Sequence, residues 1–574
     1  MVTSFSLRLG AILFAIFFVL LIAQPTAAHG YVIRSIPEDR ATLERSPARL
    51  QYWFSEALEP DFSSIHLRDQ EGNVLASGGV SEEDNSLLVL RLPDALPDGA
   101  YVVELRPAFA SDGHVLVETR VFFIGEEVGG VEGQAADDTA RPLEVVWKTL
   151  LFSATYLLFG TAVLYSNVLV PVWGSEKYPR GLLPPRVMRR LTLLMWGALL
   201  VAAYANVMAL LQQRTIFFGV SLDLALEGGL WEVVRIGSRF GDVWNFRMLG
   251  LLIVGILLGA AQYFGGQYPR TVRSFWVATT WLVGLLLGAQ AINSHAAGSL
   301  IMPWVAMAIH WLHVTAVAFW IGGIAALALV LPVALAPYDD SARWEALRPL
   351  MRRFSRYVTG ALLVVITSGI YSASNWFFSP ADFATTYGTA LATKLAMIAL
   401  LLAVAVLHHV ALRPQLLGRF PFKGLANWAK RFGLSLRVET AFAVVTITLA
   451  ALLSATPIPE PEFLQREVQT PNATKTIEDT TVQVAITPGG TGINTMDIVV
   501  NQDGESADDL TVEVQFVAPE LGERSRWELA EPAENGLYVL ATDRIDKLGH
   551  WWTLIDLTDS AGSRTRAAFE WNIS

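Results

Sequence analysis

Histidine 29 follows Thr26-Ala27-Ala28, small residues of the kind that close a secretory leader, so cleavage there makes His29 the first residue of the mature chain. A terminal histidine is an unusual ligand, because its α-amino nitrogen and its imidazole can grip one metal ion together. Asp112 and His114, in Asp112-Gly113-His114, add a carboxylate and a second imidazole. Read as strand residues two apart, they project from one face, although Asp-Gly is also a common turn pair. An amine, two imidazoles and a carboxylate form a compact nitrogen-rich set that suits Cu(II). Cysteine is absent from the 574 residues, which excludes disulfides and thiolate sites. Soft-metal chemistry therefore falls to His, Met, carboxylate and the terminal amine.

A second group of candidates lies in apolar sequence. Ionisable side chains in hydrocarbon are costly, and those that persist usually face a bundle interior, a cavity or one another. His310 and His313 are three apart, so on a helix they share a face. They sit roughly 10 to 15 Å below the outer end of their helix, with His295 above them at the end of the preceding one. Met302 and Met307 are nearby soft ligands that Cu(I) would accept. His408 and His409 fall near the inner end of a later helix, where adjacent residues point about 100° apart and only one faces inward. The histidines thus suggest a descending copper path: His29 with Asp112 and His114 at the surface, then His295, then His310 with His313, with His408 as a last step. The alternative is that His310 and His313 bond neighbouring helices as packing groups, and that His408 and His409 sit at headgroup level.

The elements that must position these residues are legible in composition and periodicity. The chain is 53% hydrophobic and 17% charged, which places it among membrane proteins with sizeable soluble parts. Residues 1–28 read as a signal peptide, with Arg8 ahead of the apolar run Leu9 to Ala23. That run could also stay as an anchor, but its length and flanks favour removal. Over 29–125, short alternating runs such as Leu50-Gln51-Tyr52-Trp53-Phe54 are separated by Pro, Asp and Gly and predict an all-β sandwich. Residues 126–141 read as a linker. Between 142 and 456, eight stretches are long and apolar enough to cross a bilayer of about 30 Å as helices. Their first, third, fifth and seventh loops carry most of the Lys and Arg, among them Arg186, Arg270, Arg353 and Lys423, and the fourth and sixth carry none. The bias of Lys and Arg towards the cytoplasm then puts both termini outside. After a linker over 457–474, residues 475–574 alternate again and predict a second extracytoplasmic β-sandwich. His550 and Met496 are isolated there and read as structural. The net charge of −11 is concentrated in the soluble ends, and nothing basic and aromatic suggests nucleic acid.

Several of these stretches resemble a known family. His29-Gly30, the Ser35-Ile36-Pro37 turn, Phe54-Ser55-Glu56, Leu96-Pro97-Asp98-Gly99-Ala100-Tyr101 and Ser111-Asp112-Gly113-His114 resemble CopC, a periplasmic copper-binding protein. By that likeness His29, Asp112 and His114 would be Cu(II) ligands. A Met-rich Cu(I) site of the kind some members carry is not implied, since no Met lies between Met1 and Met188. Ser294-His295-Ala296-Ala297, His310-Trp311-Leu312-His313 running on to Trp320-Ile321-Gly322-Gly323, Tyr387-Gly388 with Lys394, and Glu439 ahead of Pro457 resemble CopD, so the whole is similar to a CopC–CopD fusion. The resemblance implies a non-enzymatic inner- or plasma-membrane protein that captures Cu(II) outside and passes copper inward, for import, homeostasis or resistance. Its expected partners are copper ions, the lipid bilayer and extracytoplasmic copper chaperones. Two rival readings stay open: a membrane electron-transfer protein or cupric reductase with haem b between His295 and His310, and a copper storage or sensing scaffold. No Gly-rich nucleotide loop points to ATP-driven transport.

Overall fold

A computed structural model describes residues 30–573, apart from 44–45, 93–95, 126–140, 179, 227–229, 299–301, 375–376, 378–379, 412, 414–423, 425–430, 457–471, 478, 488–491, 503–504, 520–521, 534–535 and 548. The leader over 1–28, His29 and most of both linkers lie outside the described residues.

The N-terminal part is all β: β1 (Val32–Ile36), β2 (Thr42–Leu43), β3 (Arg49–Phe54), β4 (Ser64–Arg68), β5 (Val74–Val80), β6 (Leu87–Arg91), β7 (Gly99–Arg106) and β8 (Glu118–Ile124). They follow one another in the order β1-β3-β6-β5-β4-β7-β8-β2. The two layers share β5, whose first half pairs with β4 and whose end pairs with β6. Gly78 permits that passage, since a Cβ there would lie 2.1 Å from the Val89 carbonyl oxygen. Alternation along β7 sends Tyr101, Val103 and Leu105 inward, where they meet Leu50, Tyr52 and Phe54 of β3 and Ile65 and Leu67 of β4. This is the sandwich expected from the alternating pattern.

Among the described residues, eight helices are long and apolar enough to span a membrane: α1 (Pro142–Trp173), α2 (Pro185–Phe218), α3 (Arg239–Gly265), α4 (Arg270–Ile292), α5 (Pro303–Leu335), α6 (Ala342–Ser374), α7 (Thr386–Ala411) and α8 (Phe432–Leu453). α1 and α5 form the centre: 72% of each apolar window is buried against protein, against 17% for α6 and α7, which leaves those two to face lipid. Their close approach rests on glycine. A Cβ on Gly322 would sit 1.9 Å from the Tyr156 carbonyl oxygen, and one on Gly160 would sit 2.4 Å from the Gly322 carbonyl carbon. The Trp320-Ile321-Gly322-Gly323 stretch is thus a packing device, in which small residues let two backbones touch where no hydrophobic force drives helices together. Pro171 near the end of α1 has no N–H for the Asn167 carbonyl. That carbonyl instead accepts from Arg353 Nε at 2.5 Å, and the helix there widens into one π-type turn over Tyr165–Leu169.

The C-terminal part is again two sheets. One holds Asn472–Ile477, Thr480–Thr487, Gly492–Gln502 and Leu537–Ile545, the other Thr511–Ala518, Gly549–Thr558 and Arg564–Ile573. Val482, Ile498, Val514, Ile555 and Trp571 fill the space between them, and Met496 is wholly buried in that core. His550 pairs with Glu570 across neighbouring strands, at 2.5 Å.

Candidate metal centre

The N-terminal sandwich sits on the helices, and the contacts are built from what helix ends leave unsatisfied. The last carbonyls of a helix and its first N–H groups have no partners within the helix. At the end of α2, the Ile216 carbonyl accepts from Arg106 Nη2 at 2.8 Å, a cation placed at the negative end of a helix dipole. At the start of α3, Arg239 N–H donates to Glu59 Oε1 at 2.9 Å, an anion at the positive end. Between these polar contacts the short turn Pro60–Phe62 inserts its aromatic ring. Phe62 is 3% exposed, stacks on Phe217 with centroids 4.2 Å apart and meets Phe218 edge-on at 5.7 Å. Gln213 Nε2 donates to the Gly113 carbonyl at 2.6 Å, which fixes the loop that carries Asp112 and His114.

That loop differs from the expectation in two ways. Asp112 and His114 are not on a strand. They flank a turn in which Gly113 takes φ +79°, and the Asp112 carboxylate closes it by accepting from the His114 N–H at 2.9 Å. The turn, not the pleat, puts both side chains on one side. Nor is the site at the surface: the Asp112 and His114 side chains keep only 6% and 16% exposure, because the helices cover them.

At this junction Asp112 Oδ2 lies at ion-pair distance from two imidazoles, His114 Nδ1 at 2.8 Å and His295 Nδ1 at 3.1 Å. His295 comes from the short turn His295–Gly298 that follows α4. The two rings lie nearly parallel, 6.1 Å apart, and His295 Nε2 lies 3.4 Å from the Leu453 carbonyl oxygen at the end of α8. Burial alone would raise the Asp112 carboxyl, but the two imidazoles, His114 foremost, hold it well below the usual carboxylate range. Burial likewise works against charge on His114, yet Asp112 and then Glu144 outweigh it and keep the ring above its ordinary value. Glu56 is also enclosed here. Burial, and secondarily the Asp112 charge, push its carboxyl up to about 8. The His295–Gly298 turn approaches it so closely that a Cβ on Gly298 would lie 2.2 Å from Glu56 Oε1. Among the described residues no three His, Asp or Glu groups stand as a ready-made metal cage. Both Nδ1 atoms face Asp112.

Comparison with known proteins agrees with this architecture. The CopC domain family matches residues 32–125, the copper resistance protein D-like N-terminal domain matches 138–300, and the copper resistance protein D family matches 348–453. The copper transport protein CutJ of Bacillus subtilis (strain 168) is 25% identical over 500 residues, 84% of either chain. The chain thus joins a CopC domain and copper resistance protein D domains in one fusion. The inner membrane protein YebZ of Escherichia coli (strain K12) is 25% identical over 307 residues, 51% of this fusion and 94% of YebZ. The crystal structure of CopC from Methylosinus trichosporium OB3b is 26% identical and covers 17% of the fusion and 99% of that chain, with a TM-score of 0.16. The fusion is a multi-pass membrane protein of the copper resistance and transport class.

Deeper in the fusion, His310 and His313 share a face of α5 with nearly parallel rings 6.4 Å apart. His313 Nδ1 lies 2.8 Å from Ser368 Oγ on α6, and that hydroxyl spends its own proton on the Val364 carbonyl. The serine oxygen must therefore accept, which puts the imidazole proton on Nδ1 and the lone pair on Nε2. Met307 is half-buried on the same helix, and Met302 precedes its first turn, 46% exposed. Lys394 of α7 is within electrostatic reach of both rings.

His408 and His409 are not gathered into this group. They lie some 22 residues into α7, about 33 Å along its axis from Thr386, whereas His310 is about 10 Å from the start of α5 at the same side of the bundle. His408 is buried with both nitrogens engaged, Nδ1 at 3.2 Å from Glu439 Oε2 and Nε2 at 2.7 Å from Ser435 Oγ, and its ring stacks on Phe432. His409 is exposed. As expected, only one of the adjacent pair faces inward, and the structure gives that one a packing partner in Glu439.

Among the contributors that escaped sequence reasoning are Ser368 on α6, Glu144 and Lys148 in the first turns of α1, and Gln213 near the end of α2. A signal was present. An acid and a base four apart at the head of an otherwise apolar span, and a Gln pair at the end of another, are polar groups where lipid-facing residues belong.

Proposed function

We propose that the fusion captures Cu(II) through His29, Asp112 and His114 of an extracytoplasmic sandwich and passes copper through His295 into the membrane domain, in the service of import or copper homeostasis. The observation that carries this reading is the Asp112 carboxylate oxygen shared by His114 of the sandwich and His295 of the helical domain. A cation held by the first set already lies beside the first ligand of the second, so handover needs rotation of side chains and no movement of domains. His310 and His313 follow, the latter with Nε2 prepared by Ser368, and Met302 and Met307 supply soft donors for Cu(I). Orientation is supported by the helix ends. The sandwich contacts the end of α2 and the start of α3, while the Lys- and Arg-rich loops lie at the opposite ends of the same helices.

His295→Ala separates capture from passage. In proteoliposomes the variant is expected to keep the Cu(II) EPR spectrum of the parent and to lose copper uptake by about tenfold to a hundredfold. Uptake at the parental rate would sink the handover. A Soret band in the purified protein would replace transport with the haem electron-transfer reading.

A further inference from the structure

The pair Glu144 and Lys148 has no part in capture, and yet it is enclosed as deeply as the imidazole–carboxylate contacts beside it. The side chains keep 8% and 10% exposure, Lys148 Nζ lies 2.6 Å from Glu144 Oε1, and the same ammonium donates to the Ser454 carbonyl at 2.5 Å. Two charges taken out of water at the head of a membrane helix are expensive unless they serve a purpose. The purpose is indicated by the neighbour. Glu144 Oε1 lies 3.8 Å from His114 Nε2, the imidazole nitrogen not turned onto Asp112. That gap is too long for a hydrogen bond. It is the span of a metal bridge: ligand distances of about 2.0–2.2 Å place two donor atoms about 3.3–4.4 Å apart between tetrahedral and linear angles.

We infer that Glu144 and His114 Nε2, with His295 beside them, form a second cation site at the junction, and that Lys148 is the resident counter-charge that an arriving divalent copper ion displaces from Glu144. The inference rests on the handover reading above and specifies its intermediate. In this state Asp112 no longer ligates; it orients His114 from Nδ1, as a carboxylate behind a metal-bound histidine does. The chemistry selects a divalent ion with borderline nitrogen and oxygen preference, because one imidazole and one carboxylate are offered and no thiolate exists in the chain. Lys148 makes the site transient. Its ammonium takes the same carboxylate oxygen as the ion, so it competes for entry, and once displaced it stays tethered four residues away, repelling the bound cation. A station that must release its cargo is better served by such a residue than by a neutral one.

The test uses the full-length protein with His29→Ala, which removes the terminal imidazole from the capture site, titrated with Cu(II) alone. A weak residual site is expected. Adding Glu144→Gln should weaken it by about tenfold or more, and adding Lys148→Met should tighten it by about tenfold or more, since one unit charge is removed a few ångströms from a divalent ion. The gain in the lysine variant is the stronger arm, because misfolding cannot tighten binding. Unchanged affinity in either variant, or no residual Cu(II) binding at all, overturns the second site. The outcome is separable from transport: a residual site that responds as described in a protein that moves no copper in vesicles counts against the transport reading alone.

Discussion

Docking of the sandwich on the helices is what brings Asp112 to His295, and Phe62 is the side chain on which that docking most depends. Phe62→Ala removes a ring of about 150–200 Å², which at about 25 cal/mol per Å² is roughly 4 kcal/mol of burial. The stack on Phe217, 4.2 Å between centroids, adds about 1 kcal/mol. Part of the ring stays shielded by the sandwich itself after undocking, so about 3 kcal/mol is a fair net loss, or on the order of a hundredfold in the docked-to-open ratio. The polar contacts of Arg106, Gln213 and Glu59 remain and keep the two parts associated. Hydrogen–deuterium exchange reads the change directly. Peptides covering 108–115 and 211–218 should exchange faster by up to the same factor, while strands β3 and β7, which belong to the sandwich core, keep their protection. Cu(II) capture should persist and vesicle uptake should fall. Unaltered exchange at 108–115 together with unaltered uptake would refute the claim that this contact holds the junction closed.

Three other outcomes follow from particular contacts. Ser368→Ala removes the acceptor for His313 Nδ1–H, so copper uptake should drop by about tenfold to a hundredfold while Ser368→Thr retains it; equal rates for the alanine variant would show that the tautomer of His313 is immaterial. Glu439→Ala leaves buried His408 without its carboxylate and should lower unfolding stability by about 1–3 kcal/mol in thermal melts, with the Cu(II) spectrum unchanged. A loss of Cu(II) binding there would instead tie His408 to the metal. Gly322→Ala places a Cβ against the Tyr156 carbonyl oxygen and should destabilise the helical domain by about 1–3 kcal/mol through forced separation of α1 and α5, visible as a lower melting temperature. A normal melt would mean that the crossing is looser than described.

Much of the architecture was legible in the chain because it depends on local repetition. Alternation over residues such as Leu50 to Phe54 determines which face of a strand is buried, apolar length determines a membrane span, and the distribution of Arg and Lys over alternate loops determines which ends pair up. His310 and His313 were legible for the same reason, since a spacing of three on a helix is a statement about one turn. The junction was not. Asp112 meets His295 across 183 positions, and Lys148 meets the Ser454 carbonyl across 306. Neither separation has a period to read. Whether His114 lay at the surface or under a lid, whether His408 met Glu439, and whether Glu144 faced lipid or an imidazole were decided only when α1 and α5 closed on their glycines and α2 presented Phe217 to Phe62. Side-chain periodicity is a property of single elements. The contacts that gather these side chains belong to the packing between them, where a polar group inside the bilayer must find its partner wherever the fold has placed one.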